Sequence, residues 1–209
     1  MKVLKCLISS ILAGLSIGFG GIAYLSVDNK LVGAIFFTIG LFLVCSFGYN
    51  LYTGKVCYIF DNDIKYTLNL ITIVAGNLIG TFIMGKAILF TRFGADIGKR
   101  AESLCNTKLN DTYLSLFILG ILCDVMIYIA VEGYSKINYE LGKYLALVFG
   151  VVVFILGGFE HCIADMFYFS AASMWSVNAA IRVFVILLGN AVGGVLMPLL
   201  RRAARQENK

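Results

Sequence analysis

The sequence has little of what a soluble domain uses to meet water. Only 14% of its 209 residues are charged, and it holds one proline, one tryptophan and one histidine. So few charges cannot cover a core of this size, which excludes an ordinary soluble domain. The +5 net charge forms no aromatic-basic stripe, so no nucleic-acid partner is expected. The six cysteines contain no C-x-x-C pair and mostly lie in apolar segments; buried, inert thiols are expected rather than disulfides or a zinc site. With His161 alone, and Asp165 four residues on, a metal would find at most two ligands. That weighs against an intramembrane metalloenzyme, and no cofactor is expected.

What is present is apolar. Hydrophobic residues make up 60% of the chain, the mean hydropathy is +0.89, and the 22 glycines suit close packing of membrane helices. The opening, "MKVLKCLISSILAGLSIGFGG", begins like a signal peptide. Its apolar run continues to Leu25 with no cleavage pattern, so it reads as the first membrane helix. Six spans are predicted, at about 4–26, 31–60, 68–90, 113–131, 141–170 and 178–200, the polar stretch 91–111 being the longest connector. An even number of spans puts both termini on one side, and Lys2, Lys5 and the tail "RRAARQENK" make that side cytoplasmic. The chain is expected to be one multi-pass domain of the cell membrane, with a short basic tail over 202–209.

The second and fifth spans are too long and carry polar interruptions, "GYNLYTGK" (48–55) and "GFEHCIAD" (158–165). Irregular backbone at membrane depth is tolerated only inside protein or along a cavity, so two such breaks predict a pathway. The third and sixth spans share a G-N-x-x-G core, in "AGNLIG" (75–80) and "LGNAVG" (188–193). Gly14 and Gly120 precede the two breaks at similar distances. Residues 1–90 and 91–201 therefore read as two copies of a three-span unit. An odd number of spans forces consecutive copies into opposite senses, the inverted-repeat plan of many transporters. The fold class expected is an all-α membrane protein of six helices with two broken ones. Asn77 and Asn190 are expected to bond backbone across helices.

At this point the motifs become recognisable. "GFEHCIADMFY" resembles the F-E-H-x-x-A-N-M signature of the formate/nitrite transporter family, "NLYTGK" its E-L-F-T-G-N loop, and "GILCDV" its fourth-span G-I-L-x-N. The resemblance implies an aquaporin-like fold, a homopentamer, and one pore per protomer for small monovalent anions such as formate, nitrite or hydrosulfide. It makes His161 the central pore histidine and Thr53 the loop threonine facing it. Leu51 becomes the constriction on the cytoplasmic side, and Phe154, with Leu41 and Phe37, the other one. Lys108 becomes a lysine close to the pore centre. Asn190 and Asp124 complete the expected pathway set. The chain departs from the family pattern at Asn50, Lys55, Asp124 and Asp165, where the family has glutamate, asparagine, asparagine and asparagine. An extra carboxylate beside an anion path must be paired or protonated, so Lys108 is expected to neutralise Asp124, or Lys55 to meet a carboxylate. Glu160, next to His161, is expected to point away from the pore if the backbone there is helical.

Histidine's reference pKa of about 6.5 makes His161 a proton-transfer group for anions of weak acids. Protonating such an anion between two apolar constrictions removes its charge where that charge costs at least about 2.5 kcal/mol. The competing reading is an aquaporin-like pore for neutral solutes. It requires paired N-P-A half-helices and an arginine filter, and the sequence has neither.

Overall fold

The computed structural model describes residues 2–206; residues 207–209, the end of the expected tail, lie outside the described residues. Among the described residues, five helices are long and apolar enough to cross a membrane: α1 (Lys2–Leu25), α2 (Lys30–Phe47), α4 (Ile64–Leu89), α6 (Tyr113–Lys136) and α9 (Val177–Gln206). Polar connectors start several of them. Asn29, Asp63 and Thr112 each accept a backbone N–H with their side chains, capping α2, α4 and α6. The two interrupted spans are broken as expected. α2 stops at Gly48 and the chain resumes as the short α3 (Tyr52–Val56), while α7 (Glu140–Leu156) gives way to α8 (Cys162–Ala171).

One expectation needs correction. The connector over 91–111 is largely a helix, α5 (Gly94–Asn110), which buries Ile97, Ala101, Cys105 and Lys108 against the bundle. Its stripe of small and apolar residues at helical spacing was hidden by a polar average. The basic tail is also helical as far as Gln206, continuing α9 past Pro198.

The halves pack alike. α1 lies against α4 and α2, and α6 lies against α9 and α7. The short helix of each half then crosses over, α8 packing on α4 and α3 on α9. The G-N-x-x-G cores explain the close crossings. A Cβ on Gly80 would strike the Ile11 carbonyl on α1, and one on Gly193 would strike the Ile121 carbonyl on α6. Only glycine lets these backbones meet, and without a hydrophobic effect between membrane helices such contact supplies much of the packing energy. All six cysteines are free thiols, four of them buried.

Candidate functional site

Each break begins with a glycine in the left-handed region, Gly48 and Gly158, both at φ 68°. That conformation disfavours any side chain with a Cβ. Past each glycine the helical ladder is interrupted at membrane depth: Asn50 N–H reaches the Ser9 carbonyl and Glu160 N–H the Leu119 carbonyl, and one asparagine holds the rest of each stretch. Asn77 Oδ1 accepts from Tyr52 N–H (2.9 Å), while its Nδ2 donates to the Ser10 carbonyl (2.8 Å) and the Asn50 carbonyl (2.9 Å). Asn190 does the same in the other half. Its Oδ1 accepts from Cys162 N–H (2.9 Å), and its Nδ2 donates to the carbonyls of Gly120 (2.8 Å) and Glu160 (2.9 Å). Both asparagines are fully buried. Asn190 thus turns its amide to backbone rather than to a cavity and holds the break.

The breaks meet at the centre of the molecule. His161 Nε2 lies 3.1 Å from Thr53 Oγ1. The other ring nitrogen, Nδ1, accepts the Ala164 N–H at 3.1 Å and so forms the N-cap of α8. An accepting Nδ1 carries no proton, which leaves the proton of the neutral ring on Nε2, donated to Thr53. Forming imidazolium would require Nδ1 to give up the cap. Phe154 stacks on the imidazole (5.7 Å between centroids, 25° between planes) and meets Phe37 edge-on at 5.9 Å. Phe37, Leu41, Leu51 and Thr53 are all buried.

A cavity opens on either side of this centre. One, about 170 Å³, is lined in part by Tyr24, Phe154, Gly158, Phe159, His161 and Ala164. The other, about 250 Å³, is lined in part by Tyr134, Val44, Gly48, Tyr49, Leu51 and Gly54. The second set is the first shifted by 110 residues, position for position, so the cavities are equivalent mouths built by the two halves. No residue lines both.

Lys108 comes into the first cavity from the last turn of α5, where Arg182 on α9 ties down that turn by donating to the Lys108 carbonyl (2.9 Å) and the Asp111 carbonyl (2.5 Å). The Lys108 ammonium pairs with Glu160 and, at 2.9 Å, with Asp165 Oδ1. Burial alone would lower the Lys108 pKa, but Asp165 and Glu160 outweigh it and the net shift is upward. Lys108 therefore does not neutralise Asp124, as the sequence led us to expect. Asp124 is fully buried with neither carboxylate oxygen hydrogen-bonded among the described residues. Lys55 has no ion pair among the described residues either. Glu160 does not turn away, because its backbone lies in the break rather than in a helix, and its carboxylate joins His161 in lining the cavity. Spacing along one chain could not reveal this cluster, since its members come from α5, the break and α8.

A model of the formate/nitrite transporter family matches residues 1–203. Among curated proteins, the chain is 25% identical to the formate channel FocB of Escherichia coli over 93% of this chain and 86% of that protein. It is 24% identical to the formate channel FocA of Haemophilus influenzae over 80% and 71% of the respective chains. Among solved structures it resembles a pentameric formate channel with formate bound, at a TM-score of 0.83 and 26% identity, covering 98% of each chain.

Proposed function

Because this chain belongs to the formate/nitrite transporter family, we propose that it conducts small monovalent anions of weak acids, of the formate, nitrite and hydrosulfide type, through a pore in each protomer of a homopentamer. The observation that carries this reading is the pair of equivalent mouths meeting at the Thr53–His161 hydrogen bond. The pentamer is supported by the likeness to a pentameric formate channel. The basic residues at the end of α9, Arg201 and Arg202, support cytoplasmic termini.

An anion entering the first mouth meets Phe154, with Phe37 and Leu41 opposite it, then the imidazole. Leu51 makes the barrier on the other side. Between the two, His161 offers an N–H from Nε2, and the Thr53 hydroxyl is free to turn from acceptor to donor. An anion arriving there takes the Nε2–H bond from Thr53 and exchanges part of its hydration for two fixed donors. If the proton itself is transferred, water from the mouth first protonates Nδ1, which releases the cap of α8; the imidazolium then gives its Nε2 proton to the anion, which leaves as the neutral acid, and exchange with water returns the remaining proton from Nδ1 to Nε2. Proton transfer is in this way coupled to loosening the start of α8. Asp124, with no partner among the described residues, lies outside this sequence of contacts, and its place in the pathway set remains part of the proposal.

The test is flux of formate, nitrite and hydrosulfide into proteoliposomes at several pH values, for wild type and His161→Asn. Loss of flux or of its pH dependence in the variant is the expected outcome. Wild-type rate and pH profile in His161→Asn would overturn the assignment of the pore centre.

A further inference from the structure

One ammonium in the first cavity faces two carboxylates. Lys108 Nζ contacts Glu160 and Asp165 together, and all three side chains are at least nine-tenths buried. Asp165 Oδ2 is buried with no hydrogen-bond partner among the described residues. With both carboxylates ionised the cluster would carry one uncompensated negative charge inside the membrane, a costly arrangement. A proton on either carboxyl makes it neutral. Among the described residues no second cation pairs with either carboxylate: Lys30, at the start of α2, lines the same cavity but points its ammonium to the Leu156 carbonyl at 3.2 Å. Tyr24 from α1, Tyr168 and Cys162 from α8, Cys105 from α5, Cys123 from α6 and His161 at the break are the titratable neighbours. The position equivalent to Asp165 in the other mouth is Lys55, which has no ion pair among the described residues.

We propose that Glu160 and Asp165 hold one proton between them over Lys108, and that this proton decides whether the first mouth admits an anion. The inference rests on the anion-channel reading and adds to it a residue that sets the conditions for conduction. With the proton in place the Lys108 cluster is neutral and an anion can pass it to His161. Without it the cluster is negative and repels. The site is thus selective for conditions in which protons are available on that side, and Asp165 is the residue responsible. A lone Lys108–Glu160 pair would be neutral with no proton at all.

Two measurements test this together. The first is the infrared difference spectrum of wild type minus Asp165→Asn at neutral pH. A protonated-carboxyl band present in wild type and absent in the variant is expected; no difference band overturns the proposal whatever the flux. The second is nitrite or formate flux from about pH 6 to about pH 9. The ratio of Asp165→Asn to wild-type flux should rise with pH to about tenfold or more, since a unit charge about 7 Å from a passing anion at an effective dielectric of about 20 changes its occupancy by at least that much. Glu160→Gln, which also leaves one carboxylate on Lys108, should move the profile in the same direction, and Asp165→Glu should keep the wild-type shape. A constant ratio across pH, in a wild type that conducts, overturns the gating claim. If the infrared band is present but neither protein conducts any of the anions, the channel reading fails while the shared proton stands.

Discussion

Asn50, Leu51, Tyr52 and Thr53 stand in the first break where Glu160, His161, Cys162 and Ile163 stand in the second. The backbone of the two is held alike, by a glycine at φ 68° and by an asparagine making the same three bonds. Their side chains differ where the two breaks meet: the first contributes Leu51 and a hydroxyl, and the second a histidine that caps α8 and a carboxylate tied to a lysine. Any broken membrane helix must satisfy its exposed backbone inside protein, and the two halves do so in the same way. The difference shows that chemistry sits in positions free of that duty.

That comparison can be broken most severely at the asparagines. Asn190→Ala leaves the Cys162 N–H and the Glu160 carbonyl buried without partners, a loss of about 2–6 kcal/mol at about 1–3 kcal/mol per group. Asn77→Ala should cost about the same, read as the unfolding midpoint in detergent; a clear inequality would mean the breaks are not equivalent. Next comes the charge that separates the mouths. Lys108→Met leaves Glu160 and Asp165 buried without their cation and should cost about 3–5 kcal/mol. Lys55→Met, in the other mouth, should stay within about 0.5 kcal/mol. A smaller effect belongs to the centre. Thr53→Val removes the acceptor for His161 Nε2–H and should cost about 1–2 kcal/mol, with nitrogen-15 chemical shifts reporting any change of tautomer. Smallest are the turns. Gly48→Ala and Gly158→Ala meet no atoms within 4 Å but strain a left-handed backbone. Each should lose about 1 kcal/mol, and equal losses would sharpen the equivalence.

Much of this architecture was legible in the sequence because a bilayer simplifies the code. Five spans are long apolar helices, and both breaks fell where polar residues interrupt an apolar run. The asparagine contacts were foreseeable from G-N-x-x-G, a pattern with little use except close crossing and backbone bonding. Helix α5 was missed because its buried stripe of Ile97, Ala101, Cys105 and Lys108 is diluted by charged residues facing outward. The partner of Lys108 was misassigned to Asp124 because linear spacing stood in for distance. Glu160 was turned outward on the assumption of helical backbone, while the residue lies in the gap before α8.

The sequence by itself determined that this protein lives in a membrane, that it is made of two like halves, and that each half breaks a helix. Those properties come from hydrophobicity and from the limited ways of satisfying backbone in lipid, both local to a segment. Only the tertiary structure decided which groups face one another. It brings Thr53 of one half to His161 of the other, and sets Lys108 between Glu160 and Asp165. Electrostatic and hydrogen-bond energies depend on distances between segments far apart in the chain, and those distances exist only once the helices have packed.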